Sequence, residues 1–364
     1  MKITSFRTQV ACPSANVDPA TEPTAAEMAN FVTIELRTDH DITGIGYCGF
    51  VHVKMLKALQ ATVDALAGWA VGADPSAVEA ISSKLLQLGG YGAPAGMVTS
   101  AAAAVDVALW DIKGKIAGQP LFRLLGGDSN RVPTYASGSL WRNYSGDQLA
   151  DAAEALIEKG FRAMKFRMGG EPNLEDDLER METLMAAVDP EIRVMVDINQ
   201  GWTLDDALAV GQAMDLLGVS WFEDPIQHQD HAGLAHLADN LCLPIATGEY
   251  HYGIVPFRDM LEKRAVDIVM VDLLRAGGIT HWMKVAHIAE AFNKPVVSHL
   301  APEVLGHCIA AAPNSDVTEH MPWAFPLFQE VPQVSPADGC LVLSEEPGLG
   351  LQFDQDAIDR MQPQ

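Results

Sequence analysis

From about residue 131 onward, short apolar runs alternate with amphipathic helical stretches, and no other feature of the sequence constrains the fold as much. VPTYAS precedes GDQLADAAEALIEKG, AMKFRM precedes LEDDLERMETLMAAV, and RVMVDIN precedes TLDDALAVGQAMDLLG. WFEDP, PIATGE, DIVMVDLL, VVSHL and VTEHM continue the series, with helical stretches between them. Strands that are apolar throughout are buried on both faces, as parallel strands joined by crossover helices must be. Eight such runs close naturally into a barrel whose active site lies at the C-terminal ends of the strands. The eighth helix is weak, and the stretch from about 322 to 364 is rich in Pro and Gly, so it is expected to run back over the N-terminal part. The rival arrangement, an open doubly wound sheet, would carry a Gly-rich phosphate turn after its first strand. No GxGxxG or GxxxxGK stands there.

The first 125 residues read differently. MKITSFRTQV and FVTIELRTD have strand character, and TGIGYCGF is expected to supply glycine turns. HVKMLKALQATVDALAGWA and TSAAAAVDVALWDIKGKIA read as helices. Strands followed by helices make an α+β unit. The expected organisation is an α+β domain over residues 1–125, a barrel over 126–325, and a segment over 326–364 that returns to the first domain.

Charge narrows the partners. There are 24 Lys and Arg against 48 Asp and Glu, a net charge of −24. Such a chain should repel nucleic acid and anionic membranes, and neither is expected as a partner. No apolar run suits a transmembrane helix, and the opening MKITSFRTQVACPSA lacks the apolar core of a secretory signal. Five widely spaced cysteines without a CxxC pair point to a reducing, cytoplasmic setting. An anionic substrate would have to overcome the overall negative field locally, which directs attention to a bound metal.

Polar residues interrupt the apolar strands where their C-terminal ends are expected: Asp197 and Asn199, Glu223 and Asp224, then Glu249. Asp197, Glu223 and Glu249 stand at equal intervals, one barrel unit apart, so they are expected at equivalent positions on strands three, four and five. Three converging carboxylates repel one another unless something positive lies between them. An all-oxygen site with room for water and substrate suits one Mg²⁺ per chain. Any one of these acids alone could equally cap the following helix, Asp197 and Asp224 most readily. Lys165 and Arg167 share one face of strand two, with Phe166 on the other. They suit either an anionic substrate or a salt-bridge set within the mouth. Asp272 ends strand six and His299 ends strand seven, and an Asp one strand away can orient a His and raise its basicity. Glu319 on strand eight faces the mouth from the far side, and His320 points away from it.

Together these residues resemble the enolase superfamily, and within it the mandelate racemase subgroup (mandelate racemase/muconate lactonizing enzyme-like, acid-sugar dehydratase type). The resemblance spans nearly the whole chain: ALWDIKGKIAGQPLFRLLGG, GFRAMKFRMG, VMVDINQGW, WFEDP, IATGE, VDLLRAGGIT, SHLAPE and PGLGL. It implies an α/β fold, a (β/α)7β modified TIM barrel under an N-terminal α+β capping domain. It implies Mg²⁺ on Asp197, Glu223 and Glu249, and a carboxylate substrate whose α-proton is removed to give a metal-stabilised enediolate. His299 matches the base and Asp272 its partner. Glu319 matches the acid that hydrogen-bonds the substrate carboxylate, and Lys165 the first residue of a KxK pair. Asn199 is placed near bound water or substrate, and a homo-oligomer is expected.

Arg167 departs from that pattern, which has a lysine there as a second base. Arginine, with a pKa above about 12, stays protonated and is a poor base. A single good base, His299, favours loss of water from a hydroxy acid over inversion. The expected enzyme is therefore a hydro-lyase, an acid-sugar dehydratase converting an aldonate or aldarate to a 2-keto-3-deoxy product. Arg167 would bind a carboxylate, a hydroxyl or the departing oxygen. A racemase or epimerase of an α-substituted acid is the second reading, and a noncatalytic carboxylate-binding descendant of the fold the third. The resemblance further implies that VACPSANVDPATEPTAAEMAN and YCGFVHVKML close over the distal end of the substrate. No Lys or Arg occurs from Thr8 to Asn30, so a second carboxylate would need Lys54 or Arg142, although both read more readily as surface residues. Tyr47, Trp141, Asn16, His52 and Tyr91 are candidates for hydroxyls or an apolar end, and GGYGAPAGM for a flap.

Overall fold

The structure is a computed structural model that describes residues 1–13, 27–171 and 173–363. Asn16 lies outside the described residues. The N-terminal part opens with an antiparallel sheet in the order β1 (Ile3–Ala11), β2 (Phe31–Thr38), β3 (Thr43–Gly49). Helices Leu56–Ala70, Val78–Leu88 and Gly96–Ala117 follow. The run expected to supply glycine turns is instead the strand β3, and the reason is steric. The helix Gly96–Ala117 lies so close that a Cβ at Gly44 would sit 2.2 Å from the Ala108 carbonyl oxygen. A Cβ at Gly46 would sit 2.2 Å from that of Ala104. Glycines in the strand and the buried Ala104 and Ala108 in the helix are two halves of one contact.

The barrel strands are β4 (Arg131–Leu140), β5 (Ala163–Arg167), β6 (Arg193–Asp197), β7 (Phe222–Glu223), β8 (Ile245–Thr247), β9 (Ile268–Asp272), β10 (Val296–His299) and β11 (Thr318–His320). Parallel pairing runs unbroken from β4 to β10. Strand β11 pairs in parallel with β4 and meets β10 through a bridge from Val296 to Ser315 and a 2.9 Å hydrogen bond between the Ser298 and Thr318 hydroxyls. The ring therefore closes. Tyr135, Met195, Trp221, Met270 and Val297 pack together as its buried interior. A helix separates each pair of successive barrel strands, and directly after β11 stands a short 3-10 turn, Phe325–Leu327, in place of an eighth barrel helix. The fold is the (β/α)7β barrel with an α+β cap.

The last segment touches both parts. Strands β12 (Gln333–Val334) and β13 (Cys340–Val342) form a hairpin, and β13 runs antiparallel to β4. Farther on, Leu349 N donates to the buried Asp111 carboxylate at 2.9 Å, which also accepts from Ile45 N and Lys115. Cys12 N donates to the Met361 carbonyl at 2.8 Å. Among the described residues no helix is long and apolar enough to cross a membrane.

Candidate active site at the barrel mouth

Parallel register decides which side chains meet at the mouth. Arg167, Asp197 and Glu223 are neighbours across β5, β6 and β7. Asp272 and His299 are paired across β9 and β10. Equal sequence spacing does not carry Glu249 to the same height, however. Glu223 pairs with Ala246, and Glu249 stands beyond the end of β8, after Gly248 at φ +134°. Non-glycine residues in left-handed backbone cluster here as well: Asn199 at φ +48°, Asp224 at +41° and Leu300 at +55°. Such conformations persist only where the surrounding fold enforces them, and they gather at functional sites.

The carboxylates are buried and incompletely satisfied. Ligand oxygens of Glu223, Asp224 and Glu249 come within 4.8 Å of one another. Among the buried oxygens, Asp224 Oδ2 has no hydrogen-bond partner, while Glu249 Oε2 and Glu319 Oε1 each meet only a single cationic or ring nitrogen. Asp197 is engaged differently, with Oδ2 at 2.5 Å from Arg167 Nη1 and 3.5 Å from Lys165 Nζ, and Oδ1 accepting from Asn199 N at 2.8 Å. Burial, together with the neighbouring acids, pushes the Glu223 carboxyl up to about 8 despite Lys165. Burial and the Glu249 and Glu223 charges raise Asp224 well above its ordinary value. Such a set is short of positive charge, and hard oxygen donors of this kind fit a divalent cation such as Mg²⁺.

Two cations stand on the expected face. Lys165 Nζ lies 2.5 Å from Glu223 Oε1 and 3.0 Å from Glu319 Oε1. Burial draws its ammonium down, but Glu223, Glu319 and Asp197 outweigh that and hold it above its ordinary value. Arg167 Nη1 also donates to Asn199 Oδ1 at 2.9 Å, and its guanidinium lies over the Trp141 ring. Opposite them, His299 Nδ1 lies 2.7 Å from Asp272 Oδ2 and its Nε2 lies 3.1 Å from Glu249 Oε2. Asp272 Oδ1 accepts from Leu274 N and Arg275 N, which fixes the carboxylate. Burial opposes the imidazolium, yet Glu249, Asp272 and Glu319 lift His299 above its ordinary pKa. Burial alone would raise Glu319, but Lys165 and His299 hold it down at about 2.

A cavity of about 560 Å³ opens over this cluster and is lined by Arg167, Asn199, Glu249, Asp272 and His299. Trp141 and Arg142 line it too. Tyr47 does not. It is buried, and its hydroxyl donates to Glu303. A hydroxyl already bonded inside the core is not offered to a substrate. Lys54 is exposed, Tyr91 is exposed, and His52 accepts from Lys54 N. His320 points away from the mouth against Phe161 and Phe325. Sequence reasoning gave no role to Arg275, Tyr250 or Trp323, which also line the cavity. Tyr250 directly follows Glu249, and Arg275 lies three residues beyond Asp272. Their places after strand ends were the available signal, and Trp323 in the tail had none.

Comparison with known proteins follows the same outline. The family described as mandelate racemase / muconate lactonizing enzyme, N-terminal domain, matches residues 3–126, and the one described as enolase C-terminal domain-like matches 148–357. An L-talarate/galactarate dehydratase from Salmonella typhimurium is 32% identical over 328 residues, covering 90% of this chain and 81% of its own. An arabinonate dehydratase from Saccharolobus solfataricus is 34% identical over 265 residues, 70% of each chain. A crystal structure of a racemase from Streptomyces coelicolor A3(2) with bound magnesium superposes with a TM-score of 0.91 at 30% identity, covering 99% of both chains.

Proposed function

The chain belongs to the mandelate racemase / muconate lactonizing enzyme family of the enolase superfamily, and on that premise we propose that it is a Mg²⁺-dependent hydro-lyase dehydrating an acid sugar. Asp197, Glu223 and Glu249 are the residues that would hold the ion, with Asp224 behind them. The bound ion would supply a positive charge to the substrate carboxylate as negative charge grows on its oxygens.

The chain's own residues carry the rest. Lys165, buried and kept charged by Glu223 and Glu319, binds the substrate carboxylate. Asp272 holds the Nδ1–H of His299, which leaves Nε2 to take the α-proton. Glu319 is ionised beside Lys165. A substrate carboxylate arriving there raises its proton affinity and fits it to share a hydrogen bond with that carboxylate. Asn199, held between Arg142 and Arg167, fixes the two guanidinium groups in place. The proton on His299 is then available to the hydroxyl leaving from the neighbouring carbon, so water departs from one face and the enol relaxes to a 2-keto-3-deoxy acid.

One observation carries this reading over inversion: Arg167 occupies the place opposite His299. Burial would lower its pKa, but Asp197 and the other carboxylates hold it above the ordinary arginine value. Held in its charged form, it is a poor second base. The test is proton NMR in D₂O with Mg²⁺ over a panel of aldonates, aldarates and simpler α-substituted acids. A 2-keto-3-deoxy product is expected. Deuterium at the α-carbon with water retained would replace the reading by racemisation or epimerisation, and silence across the panel would remove it.

A further inference from the structure

The cavity over the site has two chemically different ends. Its positive groups, Arg142, Arg167 and Arg275, all come from the barrel. Each is committed at the reacting end. Arg142 Nη2 donates to Asn199 Oδ1 at 2.6 Å, Arg167 holds Asp197, and Arg275 Nη1 donates to the Glu249 carbonyl at 2.9 Å. The opposite wall comes from the cap. Among the described residues the cap contributes Met28, Phe50, Val51, Leu59 and Met97, and its one polar side chain there is Ser100. No Lys or Arg of the cap lines the cavity among the described residues, and residues 14–26 contain neither. Aromatic rings continue the apolar surface. Trp141 stacks on Trp323 with centroids 6.4 Å apart and planes at 7°, and Phe50 lies 5.8 Å from Trp323.

A second carboxylate against that wall would lose water and gain no cationic partner from the described cap residues, a costly arrangement for a charge. A terminal hydroxymethyl would have Ser100 as its single side-chain partner from the cap among the described residues. A methyl group loses nothing by leaving water and gains apolar contact. Building on the dehydratase reading, we propose that the substrate is a monocarboxylate acid sugar ending in a methyl group, an ω-deoxy aldonate, and that Val51 and Met97 select for that end.

The test compares kcat/KM for an aldarate, an aldonate and an ω-deoxy aldonate of matched configuration, repeated over the available C2 and C3 configurations. The deoxy acid is expected to exceed the aldonate by about tenfold, with the aldarate below both. Preference for the aldarate, or parity of aldonate and deoxy acid, overturns the proposal and leaves dehydration standing. Turnover of none of them overturns the dehydratase reading itself. Val51→Arg and Met97→Arg, checked for an unchanged melting temperature, are expected to move preference toward the aldarate. Folded variants with the original order of preference would also overturn the selective role of this wall.

Discussion

At the residue scale, the division between base and binding group rests on four side chains. His299 is held by Asp272 at 2.7 Å, while Arg167 is locked on Asp197. His299→Asn keeps the shape and a hydrogen bond to Asp272 but removes the base. It is expected to lower kcat by about a hundredfold or more with little change in Mg²⁺ affinity. Retained α-proton exchange in that variant would transfer the role to another group. The metal assignment separates by a second pair. If Asp197 is a ligand and Asp224 a supporting acid, Asp197→Asn weakens Mg²⁺ binding in calorimetry far more than Asp224→Asn. The opposite order would reassign the site to Glu223, Asp224 and Glu249, whose oxygens already converge. These residues were legible because charged side chains end several successive apolar strands, a recurrence that helix capping at any one of them does not account for. Tyr47 was not, because a Tyr in a glycine-rich strand gives no sign that a buried Glu303 will claim its hydroxyl.

At the scale of elements, the alternating pattern predicted the barrel strands well, since burial on both faces leaves a continuous apolar run that a sequence displays directly. Strand β3 defeated the same logic. Its glycines look like turns, and only the contact with the helix Gly96–Ala117 explains them. Gly46→Ala would drive a methyl against the Ala104 carbonyl, so a loss of about 2 kcal/mol or more is expected in urea unfolding. Gly68→Ala is the comparison. Gly68 lies within the helix Leu56–Ala70, where a Cβ meets nothing closer than Phe6 Cε1 at 3.8 Å. That change is expected to stabilise by about 0.5–1 kcal/mol. Similar outcomes at the two positions would contradict close packing as the reason for the glycines. Glu249 shows the same limit from another side. Its spacing from Glu223 was visible, but the turn at Gly248 that sets its height depends on how β8 ends.

For the whole molecule, the barrel mouth concentrates a problem that the entire chain shares, an excess of negative charge. With a net charge of −24, added salt should stabilise the fold simply by screening. A site that binds Mg²⁺ behaves differently, and pH distinguishes the two. Burial raises the Glu223 carboxyl to about 8, whereas in the unfolded chain it titrates near the ordinary value of 4.5. Between those values the metal-free fold holds a proton that the unfolded chain has released. Its stability therefore falls as pH rises through that window, by at most about 1.4 kcal/mol per unit for each such proton. A cation among these carboxylates must displace the proton, so its binding strengthens as pH rises. At a hundredfold excess over its Kd, a ligand that binds only the fold adds about 2.7 kcal/mol. Melting curves with Mg²⁺ and with NaCl at equal ionic strength, at pH 6 and pH 8, should thus show an extra Mg²⁺ stabilisation that is larger at pH 8. If Mg²⁺ and NaCl act alike at both pH values, the acids at the mouth hold no divalent ion, and the charge they carry must be met by Lys165 and Arg167 alone.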